Sequence, residues 1–124
     1  MRTSSDIRPA VILALGNGAY HYNYNITERT EKDPETEQEK TIYDCDTVKI
    51  WGEPTYEKIA KAVIREKLDE TAEFAIINEY YAGVLGVTTD STEKAAAKQA
   101  YKEYLEYVVS VKAMIKADLA AAGY

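Results

Sequence analysis

An apolar run from Ala10 to Leu15 breaks at Gly16-Asn17-Gly18, and from Tyr20 to Tyr24 tyrosines then alternate with His21 and Asn23, the period of a half-buried β-strand. Asn-Gly suits a two-residue type I′ hairpin turn, because both central positions need positive φ. A turn on Asn17-Gly18 places Leu15 opposite Tyr20, Leu13 opposite Tyr22 and Val11 opposite Tyr24 on one face. Ala14/His21 and Ile12/Asn23 then occupy the other, and a one-residue slip would set the apolar residues against polar partners. The stretch "KTIYDCDTVKIWG" (40–52) reads as a third strand. Face matching sets Tyr24 opposite Tyr43, Tyr22 opposite Cys45, Asn23 opposite Asp44 and His21 opposite Asp46. Past Thr47 the apolar positions move to Val48 and Ile50, so a bulge or a second covering partner is expected there.

From Pro54 the period becomes helical. Tyr56, Ile59, Ala60, Val63 and Ile64 recur on one face, and Pro54 suits the first turn, where its missing N–H costs nothing. Asp69 is the expected N-cap of a second helix carrying Phe74, Ile77, Tyr80, Tyr81, Val84 and Leu85, and Gly86 is placed to end it. Asp90 and Glu93 have capping-box spacing ahead of a long helix reaching about Ala120. Its Ala97, Tyr101, Tyr104, Val108, Val111 and Ile115 form a narrow stripe, as in a helix-pair seam. At 1.5 Å per residue this helix is roughly 45 Å long, more than a small sheet needs. Its C-terminal part is therefore expected to project or to pack against another subunit. The expected fold class is α+β: an N-terminal three-stranded antiparallel β-meander packed against three C-terminal α-helices, the last one long. The whole, residues 1–124, makes one domain, β-rich over 8–52 and helical over 54–120.

Composition sharpens this picture. A chain of 124 residues with 46% hydrophobic content can bury a core without disulfides. The longest apolar run, Ala10 to Leu15, is too short to cross a bilayer, so no membrane is expected. Arginines precede that run as in a signal peptide, but Asp6 and Pro9 break the pattern, and we read a strand. The lone Cys45 fits a reducing compartment, and a cytoplasmic location is the expectation. A net charge of −6 argues against nucleic acid, whose backbone demands concentrated lysine and arginine. Much of the negative charge lies in "ERTEKDPETEQEK" (28–40), which reads as a solvated loop or hairpin tip.

No catalytic motif emerges. His21, Asp44, Cys45 and Asp46 come near one another in the expected register, but alternation puts Cys45 on the face opposite both aspartates, which prevents a four-ligand metal site or a Cys45–His21 dyad. There is no Ser-centred elbow, phosphate-binding glycine loop or HExxH segment, so no enzyme and no cofactor is expected. Tyrosine is the anomaly, 11 residues against one Phe and one Trp. Tyr20, Tyr22, Tyr24 and Tyr43 are read as sheet-covering core. Tyr80, Tyr81, Tyr101, Tyr104 and Tyr107 are the candidates for a protein interface, since tyrosine gives large contact area at low entropic cost. His21, Asn23, Asn25, Asp44 and Asp46 form the alternative: a small-ligand or carbohydrate site on the polar sheet face.

The segments "YDCDTVKIWGEPTYEKIAKAVIREKLDETAEFAIINEYYAGVLG" and "EYLEYVVSVKAMIKADL" resemble small uncharacterised proteins of phage and prophage structural modules in anaerobic gut bacteria. The resemblance spans roughly residues 10 to 119 and implies a context, tail or baseplate assembly or an accessory virion role, without implying any functional residue. The expected function is thus a non-enzymatic interaction or assembly protein. Its partner would be a virion component or another copy of itself, the latter through the long C-terminal helix, with incorporation into a virion as a consequence.

Overall fold

The computed structural model describes residues 1–124 and contains a four-stranded antiparallel sheet and three helices. The strands are β1 (Arg2–Ser5), β2 (Ile12–Ala14), β3 (Ala19–Lys32) and β4 (Glu39–Trp51), in spatial order β1-β4-β3-β2. The helices are α1 (Tyr56–Lys67), α2 (Glu70–Val84) and α3 (Ser91–Ala122). The α+β class and the long last helix agree with the sequence analysis. The fourth strand, β1, is an addition: "RTSS" is polar and short, so no periodicity reveals it.

The β2–β3 register differs from the expected one by one residue. Leu15 N–H donates to Ala19 C=O, closing a three-residue loop in which Gly16 and Gly18 both have φ of +82°. The extra loop residue pairs Ile12 with Tyr22 and Leu13 with His21. Ile12 thus packs towards the core, whereas Leu13 and Leu15 are exposed.

The β3–β4 register differs by three, with Tyr22 opposite Val48, Tyr24 opposite Asp46, Asn23 opposite Thr47 and His21 opposite Lys49. This odd shift exchanges the faces of β4, so Val48 and Ile50 lie beside the tyrosines with no bulge in β4. The irregularity sits instead in β3, between Tyr24 and Thr27, where Asn25 adopts φ 51°. Face matching on Tyr43 and Cys45 alone misses this solution, because Val48 and Ile50 offer the larger apolar match. The acidic stretch forms the outer arms and tip of the β3–β4 hairpin, closed by an Asp33 N–H bond to Gln38 C=O.

Since β1 and β2 occupy opposite sheet edges, residues 6–11 cross the sheet. They do so over the face away from the helices, where Asn23 Nδ2 donates to Ala10 C=O at 2.7 Å and Arg8 lies 3.9 Å from Glu28. On the other face, Tyr22, Tyr24, Val48 and Ile50 join Ile59, Ala60 and Val63 of α1 and Val111, Ile115 and Leu119 of α3 in one core. Tyr22 O–H donates to Asp118 Oδ2 at 2.6 Å, tying β3 to the last turns of α3.

The expected caps of α2 and α3 are in place: Asp69 and Asp90 accept bonds from Ala72 N–H and Glu93 N–H. Helix α1 starts later than expected, with Thr55 as its N-cap and Pro54 just outside the first turn. Gly86 and Gly123, both left-handed, follow the ends of α2 and α3. The C-terminal part of α3 does not project. Its buried residues, Val111, Ile115 and Leu119, sit on the sheet. The half that extends beyond the sheet is N-terminal, and α2 accompanies it as an antiparallel helical hairpin.

Candidate functional site: the α2–α3 hairpin

The sequence of α2 is apolar around much of its circumference, yet Gly83 alone among its residues is fully buried. A Cβ at Gly83 would come within 3.3 Å of Lys94 Cγ, so the glycine sets how closely α2 approaches α3. Further along the hairpin a tyrosine cluster forms the seam. Tyr80 stacks on Tyr101 with ring centroids 4.6 Å apart, Tyr81 meets Tyr101 edge-on at 6.1 Å, and Tyr104 lies 6.4 Å from Tyr101. Such pairs prefer offset-stacked or edge-to-face geometry and add about 0.5–1.5 kcal/mol each beyond burial. A hydrogen bond with Tyr81 and partial desolvation raise the Tyr101 hydroxyl above its usual value.

At the base of the hairpin a charged network joins all three helices. Arg65 of α1 donates through Nη2 to Glu73 Oε1 at 3.0 Å, and Tyr104 O–H donates to Glu73 Oε2 at 2.6 Å. Both bonds hold the Glu73 carboxyl below the usual range, Arg65 being the larger cause. Burial first, and the Glu73 bond second, push Tyr104 up to about 12. Beside the network lies an open, mainly apolar cleft of about 270 Å³ between Leu68, Ile76, Ala100 and Tyr107. Tyr107 stands apart from the other four tyrosines. It packs against the core, and Lys67 Nζ lies 3.9 Å above its ring centroid.

With the seam occupied by Tyr80, Tyr101 and Tyr104, Ile76 and Ile77 are half-buried and the larger apolar residues on the outer side of α2 face water. Phe74 is 57% exposed, Val84 59% and Leu85 77%, and Tyr81 is exposed beside them. Phe74, Ile77, Tyr81, Val84 and Leu85 follow helical spacing, which puts them on one stripe. Tyr81 meets Tyr101 of α3, and Leu105, one turn further along α3, is exposed too.

No known protein family, curated protein or solved structure matches this chain. The surface itself therefore carries the functional argument. Contiguous exposed apolar surface is uncommon on a monomer, whereas scattered single residues need no explanation.

The structure separates the sheet-face candidates His21, Asn23, Asn25, Asp44 and Asp46. His21 and Asn23 lie on the face away from the helices. Asn23 is buried, donates to Ala10 C=O and accepts from Thr47 Oγ1 at 2.7 Å, so its amide holds the crossing segment in place. The bulge turns Asn25 to the opposite side, where Nδ2 donates to Asp46 Oδ2 at 2.9 Å. Asp46 also pairs with Arg2 at 3.3 Å, and Asp44 accepts from Ser4 and Arg29. The five residues therefore share no face. No three His, Cys, Asp or Glu side chains are grouped to hold a metal ion. Cys45 is buried on the His21 side, near Asn23 and Thr47. No helix is long and apolar enough to cross a membrane.

Sequence reasoning missed the exposed apolar stripe of α2 and the Arg65–Glu73–Tyr104 network. The stripe had a signal: α2 lacks a continuous polar face, although it lies outside the sheet core. The network had none, because its members are drawn from three helices.

Proposed function

We propose that this protein is a non-enzymatic interaction and assembly protein whose contact surface is the α2–α3 hairpin. The observation that carries this reading is the exposed stripe Phe74, Tyr81, Val84 and Leu85 on a helix that the sheet core does not use. An element that contributes almost nothing to the hydrophobic core of its own domain, yet keeps large apolar residues facing water, gains its burial from a partner. The Tyr80–Tyr101 stack and the Arg65–Glu73–Tyr104 network support the reading by holding the surface in a fixed geometry, which lowers the entropic cost of association. The partner is a second copy of the chain or a virion component. What supports a setting in tail, baseplate or accessory virion assembly is the sequence resemblance to phage structural-module proteins.

Light scattering coupled to size-exclusion chromatography tests self-association, and a strict monomer at high concentration counts against it. Capture of partners from an induced or infected host tests the virion arm: binding should be lost when Phe74 and Leu85 are both replaced by glutamate. Capture unchanged by that double variant would move the contact to another surface.

A further inference from the structure

The two ends of the β3–β4 hairpin carry opposite charge. At one end, β4 finishes in Lys49-Ile50-Trp51, beside the α1 residues Lys58, Lys61 and Arg65, which follow i, i+3, i+7 spacing and so share one helix face. Together they line an open cleft of about 350 Å³ in which no carboxylate takes part. Trp51 is 63% exposed there, with Lys49 Nζ 4.2 Å from its ring centroid and Lys58 Nζ donating to its carbonyl at 3.1 Å. Arg65 is neutralised by Glu70 and Glu73, but Lys49, Lys58 and Lys61 form no ion pair. In a chain of net charge −6, three unpaired lysines around an exposed tryptophan are a local reversal of sign.

At the other end is the tip. Asp33, Glu35, Glu37 and Glu39 are exposed, and none of them is in an ion pair. The turn is ordered by Asp33, whose side chain accepts from Glu35 N–H and whose carbonyl accepts from Glu37 N–H. Strand β4 runs from the tip to the cleft, a separation of roughly 40 Å at about 3.3 Å per residue. A copy therefore cannot seat its own tip in its own cleft.

We propose that the Trp51 cleft receives the acidic β3–β4 tip of a second copy of this chain. The chemistry on the two surfaces is complementary: a narrow finger whose exposed carboxylates Asp33, Glu35, Glu37 and Glu39 outnumber its lysines Lys32 and Lys40, and a cationic cleft without a carboxylate of its own. Because the two surfaces differ, the contact is heterologous, and repetition of it builds a chain or a ring of copies rather than a closed pair. A nucleic acid is less well served, since three unpaired cations make too short a track for a phosphate backbone. The inference concerns a different surface from the α2–α3 hairpin and does not depend on it.

Sedimentation velocity at low and high salt tests the contact, using wild type, Lys58→Glu/Lys61→Glu, Glu35→Lys/Glu37→Lys, and the four-fold variant that combines both pairs. All four positions are exposed, and circular dichroism checks that each variant is folded. The wild type should form species larger than its high-salt form in low salt, and these should dissolve as about 0.5 M salt shortens the screening length. Each double variant alone should weaken this association by about tenfold or more through like-charge contact. The four-fold variant should regain it, because its signs are exchanged but still complementary. A wild type whose mass does not depend on salt, double variants that assemble like the wild type, or a four-fold variant without recovery would each overturn the proposal. An apolar α2–α3 contact is separable in the same experiment, because it persists in high salt and is insensitive to these four positions.

Discussion

At the residue scale, the buried amide of Asn23 shows how a side chain suited to binding is used for folding. It is 4% exposed, and both ends of its amide are engaged, with Ala10 on one side and Thr47 on the other. Replacement by alanine leaves a carbonyl and a hydroxyl without their partner, at a cost of about 1–3 kcal/mol. His21→Ala, on the same face but only partly buried, should stay within about 0.5 kcal/mol of wild type. Urea unfolding of the two variants compares them directly, and equal losses would contradict the structural role of Asn23. Glu73 gives a second prediction at this scale. Its folded carboxyl titrates below the unfolded value of about 4.3, so the unfolded chain takes up the proton first as pH falls. Its contribution is complete above that value and is lost as pH falls through the folded one. Glu73→Gln should therefore be less stable than wild type at pH 7 and show a shallower loss between about pH 5 and pH 3. An unchanged acid slope would mean that Glu73 is not coupled to folding in this way.

At the element scale, the sequence was most informative where a local rule decides the outcome. The N-caps Asp69 and Asp90 and the end of α2 at Gly86 depend on one or two residues, and they occur where those residues stand, whereas α1 starts two residues after Pro54, behind Thr55. The tyrosine face of β3 was legible too, since Tyr22 and Tyr24 are buried under the helices. Register was not, for two physical reasons. Gly16 allowed a three-residue loop where Asn17-Gly18 alone suggested two. The bulge at Asn25 and the polar strand β1 left no hydrophobic trace to align. Since the proposed sheet-face site rested on register, a shift of three residues was enough to disperse its members. The same scale carries a prediction about α2. With Gly83 as its one fully buried residue, it should open at lower free energy than β3, β4 or the second half of α3. Native-state hydrogen exchange should show α2 amides exchanging well before those of Tyr22, Val48 and Ile115. Protection of α2 equal to that of the sheet in a monomeric sample would contradict this.

At the scale of the whole molecule, the chain divides into a body and an arm. The body is the sheet with α1 and the C-terminal half of α3, held by a core that runs from Tyr22 to Leu119. The arm is α2 with the N-terminal half of α3, fixed at its base by Arg65, Glu73 and Tyr104 and along its length by Tyr80 and Tyr101. The sequence indicated that the last helix was too long for the sheet but pointed to the wrong half of it, because the apolar stripe continues through both halves without a change of period. What distinguishes them is the partner: the sheet and α1 for Val111, Ile115 and Leu119, and the lone helix α2 for Ala97, Tyr101 and Tyr104. An arm with an exposed apolar stripe is the feature on which the assembly reading depends. The most direct test is the molar mass of wild type and Phe74→Glu/Leu85→Glu, measured by light scattering at high concentration and about 0.5 M salt, where surface charge contacts are screened. The account predicts a dimer or larger species for wild type and a folded monomer for the variant. A wild type that is monomeric under these conditions, or a variant with the same mass as an oligomeric wild type, would contradict self-association through this surface.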